Sequence, residues 1–425
     1  MALIVPRVRP LRSRVNHVRM RNYLDISSHN NAKVSVGACY NFQMAFSLGN
    51  VLKSFASIGK SADGSVLGID IGASSAKIVQ LRTSRGAAIL ETYGEIALGP
   101  YAQQAIGKAV KLTPEKTAEA LTDLMREANV TARVGGLSIP FSSSLVSVLN
   151  LPHIQPEQLK RMIPIEARKY IPIPVSEVTL DWFVIPGEEG EESAFDRLET
   201  KKTAQTKGDE VLLVAIHNDI LKNYQTMATT AGLKVNFYEI EIFSAIRSAV
   251  THGIAPVLVV DLGAATTKIY VIERGIVRSS HLVSAGGQHM TENLARSLGW
   301  EFEKAERVKR ERGLIDSNAY SPDENDKIKT ALLSTLTRVF SEVNRVLLSY
   351  GQRYNKNVSR VVLAGGGASL PGLADTAHTS LSAEVEIANP FSHTEAPAFL
   401  ENVLREIGPG FVVAVGVALR KLKSN

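Results

Sequence analysis

Two stretches of this 425-residue chain repeat one short pattern whose residue types suit phosphate chemistry. Val66-Leu67-Gly68-Ile69-Asp70-Ile71-Gly72-Ala73-Ser74-Ser75-Ala76-Lys77-Ile78 returns as Val259-Val260-Asp261-Leu262-Gly263-Ala264-Ala265-Thr266-Thr267-Lys268-Ile269. Each copy is an apolar strand, Asp-apolar-Gly-Ala, two hydroxyl residues, then Lys and Ile, with one residue or none before the lysine. Glycine lets the backbone turn tightly, so successive N–H groups converge into an anion nest. Small hydroxyls add donors without bulk. An aspartate at the strand end repels phosphate and suits a metal ion or its waters. The candidate phosphate ligands are therefore Gly72, Ala73, Ser74 and Ser75 in the first copy and Gly263, Ala264, Thr266 and Thr267 in the second. Asp70 and Asp261 are the candidate metal residues, acting through water. One such hairpin is commonplace; two, each opening a three-strand meander, imply two similar lobes facing each other across a nucleotide.

Two more elements fit a nucleotide. Ala364-Gly365-Gly366-Gly367-Ala368-Ser369-Leu370-Pro371-Gly372 follows a strand and opens a helix, so Gly365, Gly366, Gly367 and Ser369 offer bare backbone to a base and ribose. Glu306 and Lys309, three apart on a predicted helix Glu301–Arg312, share a face and are placed to clamp the purine edge and sugar.

The elements that must hold these groups follow from periodicity. Strands are expected at Val66–Gly72, Ala76–Leu81 and Ala87–Ile96. Helix Thr113–Ala128 starts with Thr113 as cap and Pro114 at its first position. Between 150 and 240 the texture changes: helix Pro156–Tyr170, which Pro164 should kink or restart, strands Val178–Ile185 and Glu210–His217, helix Asp219–Ala231 and strand Lys234–Glu239. The polar stretch Pro186–Asp209 reads as a hairpin loop. A second set follows: strands Val257–Asp261, Gly263–Ile272 and Gly275–Ser280, helices Gln288–Leu298 and Glu301–Arg312, and the long helix Asp326–Gln352, apolar on one face. Strand Arg360–Leu363, helix Pro371–Leu381 and helix Gly410–Leu422 complete the chain.

Composition narrows the class. Hydrophobic residues are 44% and charged residues 21%, which excludes wholesale disorder. The single cysteine, Cys39, excludes a disulfide scaffold and a cysteine zinc site. No apolar run is seen to reach the ~18 residues of a membrane span. The net charge of +6 would suit nucleic acid, but residues 1–43 carry seven basic residues and one acidic residue, leaving the remainder neutral. No nucleic-acid partner is expected. Residues 1–43 are read as a basic leader, either a transit segment or sequence upstream of a start at Met44. Residues 44–65 form a short amphipathic segment.

Taken together, the two hairpins, the Gly-Gly-Gly turn and Glu306-Arg307-Val308-Lys309-Arg310 resemble the actin-like ATPase superfamily. The middle unit is more specific. Glu166-Ala167-Arg168-Lys169-Tyr170-Ile171-Pro172-Ile173-Pro174 and Glu177-Val178-Thr179-Leu180-Asp181 resemble the PilM family of type IV pilus assembly, as does Val415-Gly416-Val417-Ala418-Leu419-Arg420.

The resemblance implies an α/β actin-like fold of two duplicated ribonuclease H-like lobes. The first lobe would span 66–150, a small inserted α+β domain 151–240 and the second lobe 241–400, with 401–425 a helix returning to the first lobe. It implies ATP and Mg²⁺ as ligands, with Lys77 reaching a β- or γ-phosphate and Gly286 and Gly287 presenting a helix N-terminus to the phosphates. It implies a cytoplasmic scaffold at the inner face of the inner membrane that docks the tail of a PilN-type protein beside helix Pro156–Tyr170. Other pilus alignment and motor proteins and self-association are further expected contacts. No residue placed to activate water is identified, so slow or no hydrolysis is expected. The alternatives are an FtsA-like division scaffold and a small-molecule kinase of the same superfamily.

Overall fold

The computed structural model describes residues 64–152, 155–186, 209–251 and 253–423. The expected leader, the segment Met44–Lys60, Cys39 and nearly all of the loop Pro186–Asp209 lie outside the described residues.

Two five-stranded sheets carry the molecule, and they have the same order. In the first, β1 (Ser65–Ile71), β2 (Ser75–Ser84) and β3 (Ala87–Ala97) form an antiparallel meander. Arg85 and Gly86, at φ +51° and +83°, make the tight β2–β3 turn. Strands β4 (Val134–Ile139) and β8 (Lys234–Ile240) add in parallel, giving β3-β2-β1-β4-β8. In the second, β9 (Val257–Leu262), β10 (Thr267–Glu273) and β11 (Ile276–Val283) repeat the meander, with β12 (Arg360–Ala364) and β13 (Glu384–Ile387) parallel to it: β11-β10-β9-β12-β13. The duplication seen in one hairpin thus extends across whole sheets.

Strand β4 was not among the expected elements because its Gly135-Gly136 pair lacks a strand's side-chain pattern. The pair has a packing reason: a Cβ on Gly135 would lie 2.1 Å from the Leu67 carbonyl oxygen, and one on Gly136 2.2 Å from the Phe237 ring.

Alternation along β9 and β10 buries both faces. Leu258, Val260, Leu262, Ile269 and Val271 pack with α5 (Gly287–Leu298), α6 (Phe302–Glu311), α7 (Pro322–Tyr354) and α8 (Leu373–Ser380). Val257, Val259, Tyr270 and Ile272 point the other way and join the core of the first lobe. Helix α7 begins with a reciprocal Ser321–Glu324 capping box and buries Ile328, Leu332, Leu336, Val339, Phe340 and Val343 along one stripe.

The third sheet, β5 (Ser144–Leu151), β6 (Val178–Val184) and β7 (Asp209–His217), has the order β5-β7-β6 and packs on α2 (Pro156–Ala167). Pro164 lies inside α2 without ending it; the helix stops at Ala167, short of the expected Tyr170.

These pairings move the expected domain limits. Strand β5, placed with the first lobe, belongs to the inserted sheet, whereas β8, placed with the insert, is an edge of the first sheet. Helix α3 (Asn218–Thr230), also placed with the insert, packs through Met227 and Ala228 into the first-lobe core beside α1 (Pro114–Glu127). Helix α4 (Glu241–Ala249), assigned to the second lobe, lies against the first sheet and the C-terminal helix α10 (Val412–Lys423). That crossing is close: a Cβ on Gly416 would lie 1.8 Å from the Ser244 carbonyl oxygen. It is also pinned by Glu239, which accepts from Arg247 and Arg420 at 2.8 Å and from the Ser244 hydroxyl.

The return to the first lobe begins before the expected residue 401. Glu395 exchanges backbone bonds with Ala88 and Leu90, and Phe391 stacks with Tyr93 and Phe411. The segment Ala398–Leu422, containing α9 (Glu401–Ile407) and α10, is long and apolar enough to cross a membrane, contrary to the expectation of no such run; two-thirds of its most apolar window is buried inside the protein.

Candidate functional site

The β1–β2 and β9–β10 turns are closed the same way. Gly72 N–H donates to the Ser75 carbonyl at 2.9 Å and Gly263 N–H to the Thr266 carbonyl at 3.0 Å. The register aligns Asp70 with Lys77 and Asp261 with Lys268, seven residues apart in both copies. No residue is inserted between the repeats, contrary to the expected offset. Ser75 therefore matches Thr266, and Thr267 matches Ala76. Thr267 is fully buried at the start of β10, where its hydroxyl donates to the Ala285 carbonyl at 2.7 Å, so it is not a phosphate ligand.

Between the turns lies a cavity of about 750 Å³. Asp70, Gly72, Ala73, Ser74, Ser75 and Lys77 line it from the first lobe, and Asp261, Gly263, Ala264, Thr266, Gly287, Glu306 and Lys309 from the second. Gly365, Gly366, Gly367 and Ser369 complete the wall. Gly365, at φ +80°, is required there: a Cβ would lie 2.3 Å from Asp261 Oδ1. Gly366 has open space over it, whereas Ser369 turns its hydroxyl to the Glu406 carbonyl.

Gly286 and Gly287 do a different job from the one expected. Gly287 N–H and Gln288 N–H donate at 2.9 Å to the carbonyls of Gly263 and Ala264, and Gly286 N–H donates to His289 Nδ1. The first amides of α5 are thus engaged by the second turn rather than free for an anion. Gly286 is not in the cavity wall; a Cβ on it would lie 2.5 Å from the Gly263 carbonyl oxygen.

The two lysines of the repeat also differ. Lys77 donates to Ser75 Oγ at 2.8 Å and pairs with Glu95 at 3.1 Å, leaving its own cross-strand Asp70 to Ser138. Lys268 stays on its aspartate, 2.9 Å from Asp261 Oδ2 and 2.8 Å from Glu241 Oε2. Burial opposes the Lys268 charge, but Asp261 and Glu241 outweigh it and hold its pKa above the usual range. Burial raises the pKa of Asp70 despite Lys77 and Ser138, and raises that of Glu241 despite Lys268.

Glu241, Glu95 and Ser138 were absent from the expected site. Nothing in their local sequence marks them; each enters through tertiary contact, although Lys268 was visible at the repeat position of Lys77. Ser138 satisfies one Asp70 oxygen and Lys268 one of Asp261. This oxygen-rich set fits a hard cation held through water at Asp70 and Asp261.

Across the cleft, Glu306 and Lys309 meet as expected. Lys309 Nζ lies 2.6 Å from Glu306 Oε2 and donates to Thr291 Oγ1 at 2.8 Å and the Gly287 carbonyl at 3.0 Å. Burial lowers the Lys309 pKa; burial raises that of Glu306, but Lys309 and Arg310 outweigh it and bring it below the usual value. The three ammonium protons of Lys309 are thereby spent on Glu306, Thr291 and Gly287, which fixes the Glu306 carboxylate at the wall as an acceptor.

The family described as type IV pilus assembly protein PilM matches residues 68–422. The chain belongs to the PilM family. Among solved structures, the PilM family fold is met in a PilM-PilN type IV pilus biogenesis complex, with TM-score 0.68 and 23% identity, covering 84% of this chain and 98% of that one. The fold is accordingly actin-like and two-lobed. More distant kinship runs to the cell division protein FtsA: 27% identity over 235 residues with that of Agrobacterium fabrum, 50% of this chain and 51% of that protein. With FtsA of Bacillus subtilis the identity is 24% over 288 residues, 63% and 64% of the two chains. The chain spans about half the length of the first of these curated relatives.

Proposed function

We propose that this PilM-family chain is an ATP-binding scaffold of type IV pilus assembly, working at the cytoplasmic face of the inner membrane. The observation that carries the nucleotide part is the pair of matched turns facing one cavity. Gly72–Ser75 and Gly263–Thr266 cradle the phosphates, and Lys77 supplies charge. Glu306, Lys309 and the Gly365–Gly367 turn take the adenosine. Mg²⁺, when bound, neutralises the phosphate charge, and Asp70 and Asp261 hold its waters.

The PilN-type tail docks on the inserted unit. Support comes from the likeness to the PilM-PilN complex and from Ile165, Tyr170 and Val184, which stand exposed on and around α2 and β6. Among the described strands, β6 is an edge of its sheet, a position that suits an extended peptide. The inserted unit also touches the second lobe: Arg278 pairs with Glu210 at 2.6 Å, and Ser280 Oγ donates to the Val146 carbonyl. Movement between the lobes therefore reaches the docking unit.

The test measures binding of the cytoplasmic tail of the PilN-type protein with and without Mg-ATP, in the natural chain and in Asp70→Asn. A change of about fivefold or more, lost in the variant, is expected from the usual coupling between sites. A change below about twofold overturns the switch, and equal Mg-ATP affinity in both chains overturns the assignment of Asp70.

A further inference from the structure

Between β3 and α1 the first lobe carries a loop, residues 98–112, that leaves its own lobe and touches the other. It is fastened to the first phosphate turn near both ends: Leu98 N–H donates to the Ser74 carbonyl and Val110 N–H to the Ala73 carbonyl, each at 2.9 Å. Between those points it crosses the cleft. Ala109 N–H donates to Gln288 Oε1 at 2.6 Å, and Lys108 Nζ lies 5.2 Å from the Phe302 ring centre. Gly107, at φ +92°, abuts the Glu306 carboxyl so closely that a Cβ would come within 2.5 Å. Because Gln288 N–H donates to the Ala264 carbonyl, the two phosphate turns are joined by one bridge, from Ala73 through Val110, Ala109 and Gln288 to Ala264.

Lys111 follows this bridge directly. It is exposed and contributes to the cavity wall. The other cations of that wall are engaged: Lys77 by Glu95, Lys268 by Asp261 and Glu241, Lys309 and Arg310 by Glu306. Among the described residues of the wall, Lys111 is the cation with neither a hydrogen bond nor an ion pair. An ammonium on a flexible stem, unpaired and facing an anion site, is a ready point-charge ligand.

We infer that Lys111 is a phosphate ligand of the bound nucleotide, delivered by the strap that ties the two phosphate turns together. The inference rests on the nucleotide reading of the cleft and adds a residue to it. One segment then senses both phosphate charge and lobe separation, since Ala109 and Lys111 are two positions apart. Opening the lobes breaks the Ala109–Gln288 bond and moves the lysine from its target.

Calorimetric titration of Mg-ATP and of adenosine into the full chain, Lys111→Gln, Lys111→Arg and Lys116→Gln tests this. Lys111→Gln should weaken Mg-ATP by about tenfold, the scale of one charge-assisted hydrogen bond, and adenosine by less than about twofold. Lys111→Arg should retain most of the affinity. Lys116, an exposed lysine of α1 that pairs with Glu119 and neither lines the cavity nor belongs to the strap, serves as the charge control, and its variant should bind as the natural chain does. Unchanged Mg-ATP affinity in Lys111→Gln, or an equal loss in Lys116→Gln, overturns the role of Lys111 while leaving the nucleotide reading intact. A natural chain that binds no ATP overturns both.

Discussion

Replacing Lys268 by methionine isolates the energetics of the cleft floor. The side chain is largely buried at the cavity wall, with its Nζ 2.8 Å from Glu241 and 2.9 Å from Asp261, and Phe141 N–H donates to the other Glu241 oxygen at 2.7 Å. Methionine keeps most of the stem packing and removes only the charge. Two buried carboxylates then face each other without a cation, a class of change that costs about 3–5 kcal/mol. For a chain of 425 residues, whose unfolding entropy is correspondingly large, that lowers the midpoint of thermal unfolding by roughly 3–7 °C.

The pH dependence identifies the cause. Without Lys268, one of the two carboxyls must take a proton, so its folded-state pKa rises above its unfolded value. A raised carboxyl pKa contributes stability below the unfolded pKa of about 4 and loses it as pH climbs through the folded value. The deficit against the natural chain should therefore be largest near pH ~8 and shrink toward pH ~5. Urea unfolding at both values measures it, and adding Glu241→Gln should recover part of the loss. A deficit under about 1 kcal/mol, or one equal at the two pH values, refutes the charge argument.

Two further outcomes follow from other parts of the molecule. Gly68→Ala should destabilise by at least ~1–3 kcal/mol, because its Cβ would lie 1.9 Å from the Ala414 carbonyl oxygen and 2.6 Å from the Ala418 nitrogen, both backbone atoms of α10; loss of amide-exchange protection in α10 reports it. Burial pushes the Asp181 carboxyl up to about 6 despite the Trp182 amide and Arg420, so its ionised form is disfavoured in the folded chain. Asp181→Asn should gain up to about 1 kcal/mol near pH ~7, allowing for partial exposure, and the gain should fade as pH drops below the raised value; denaturant midpoints at two pH values check it.

The hairpin repeat was legible because phosphate turns need particular residues at fixed spacing, and it located both sheets' first strands. Glu306, Lys309 and the Gly365–Gly367 turn were legible for the same reason, and all face the cavity. What the sequence concealed were features set by packing between distant segments. Strand β4 hides behind Gly135 and Gly136, whose small size serves Leu67 and Phe237 rather than any local propensity. Glu241 reads as an ordinary first-turn acid of α4 until Lys268 folds onto it. The limits of the inserted unit failed because alternating apolar strands do not announce their partners: β5 and β8 look alike, yet pair in different sheets. Gly286 and Gly287 carry a helix-start signature that anions and neighbouring carbonyls satisfy equally well.

The crossing of α10 over β1 has a consequence for how the chain is made. Leu67 and Ile69 share a buried cluster with Val412, Val413 and Val417, and Val66 shares one with Ala414, Val415 and Ala418, so the lobe that leaves the ribosome earlier is completed by residues that follow the whole second sheet. The second sheet and its helices, by contrast, lie within one continuous run from β9 to β13. During vectorial synthesis the later lobe holds all its parts while the earlier one still exposes the Gly68 face of its sheet. Loop closure over this distance makes the final docking slow relative to local helix and hairpin formation. Nascent chains truncated shortly before α10 should accordingly present an open apolar sheet, the kind of surface that holdase chaperones recognise.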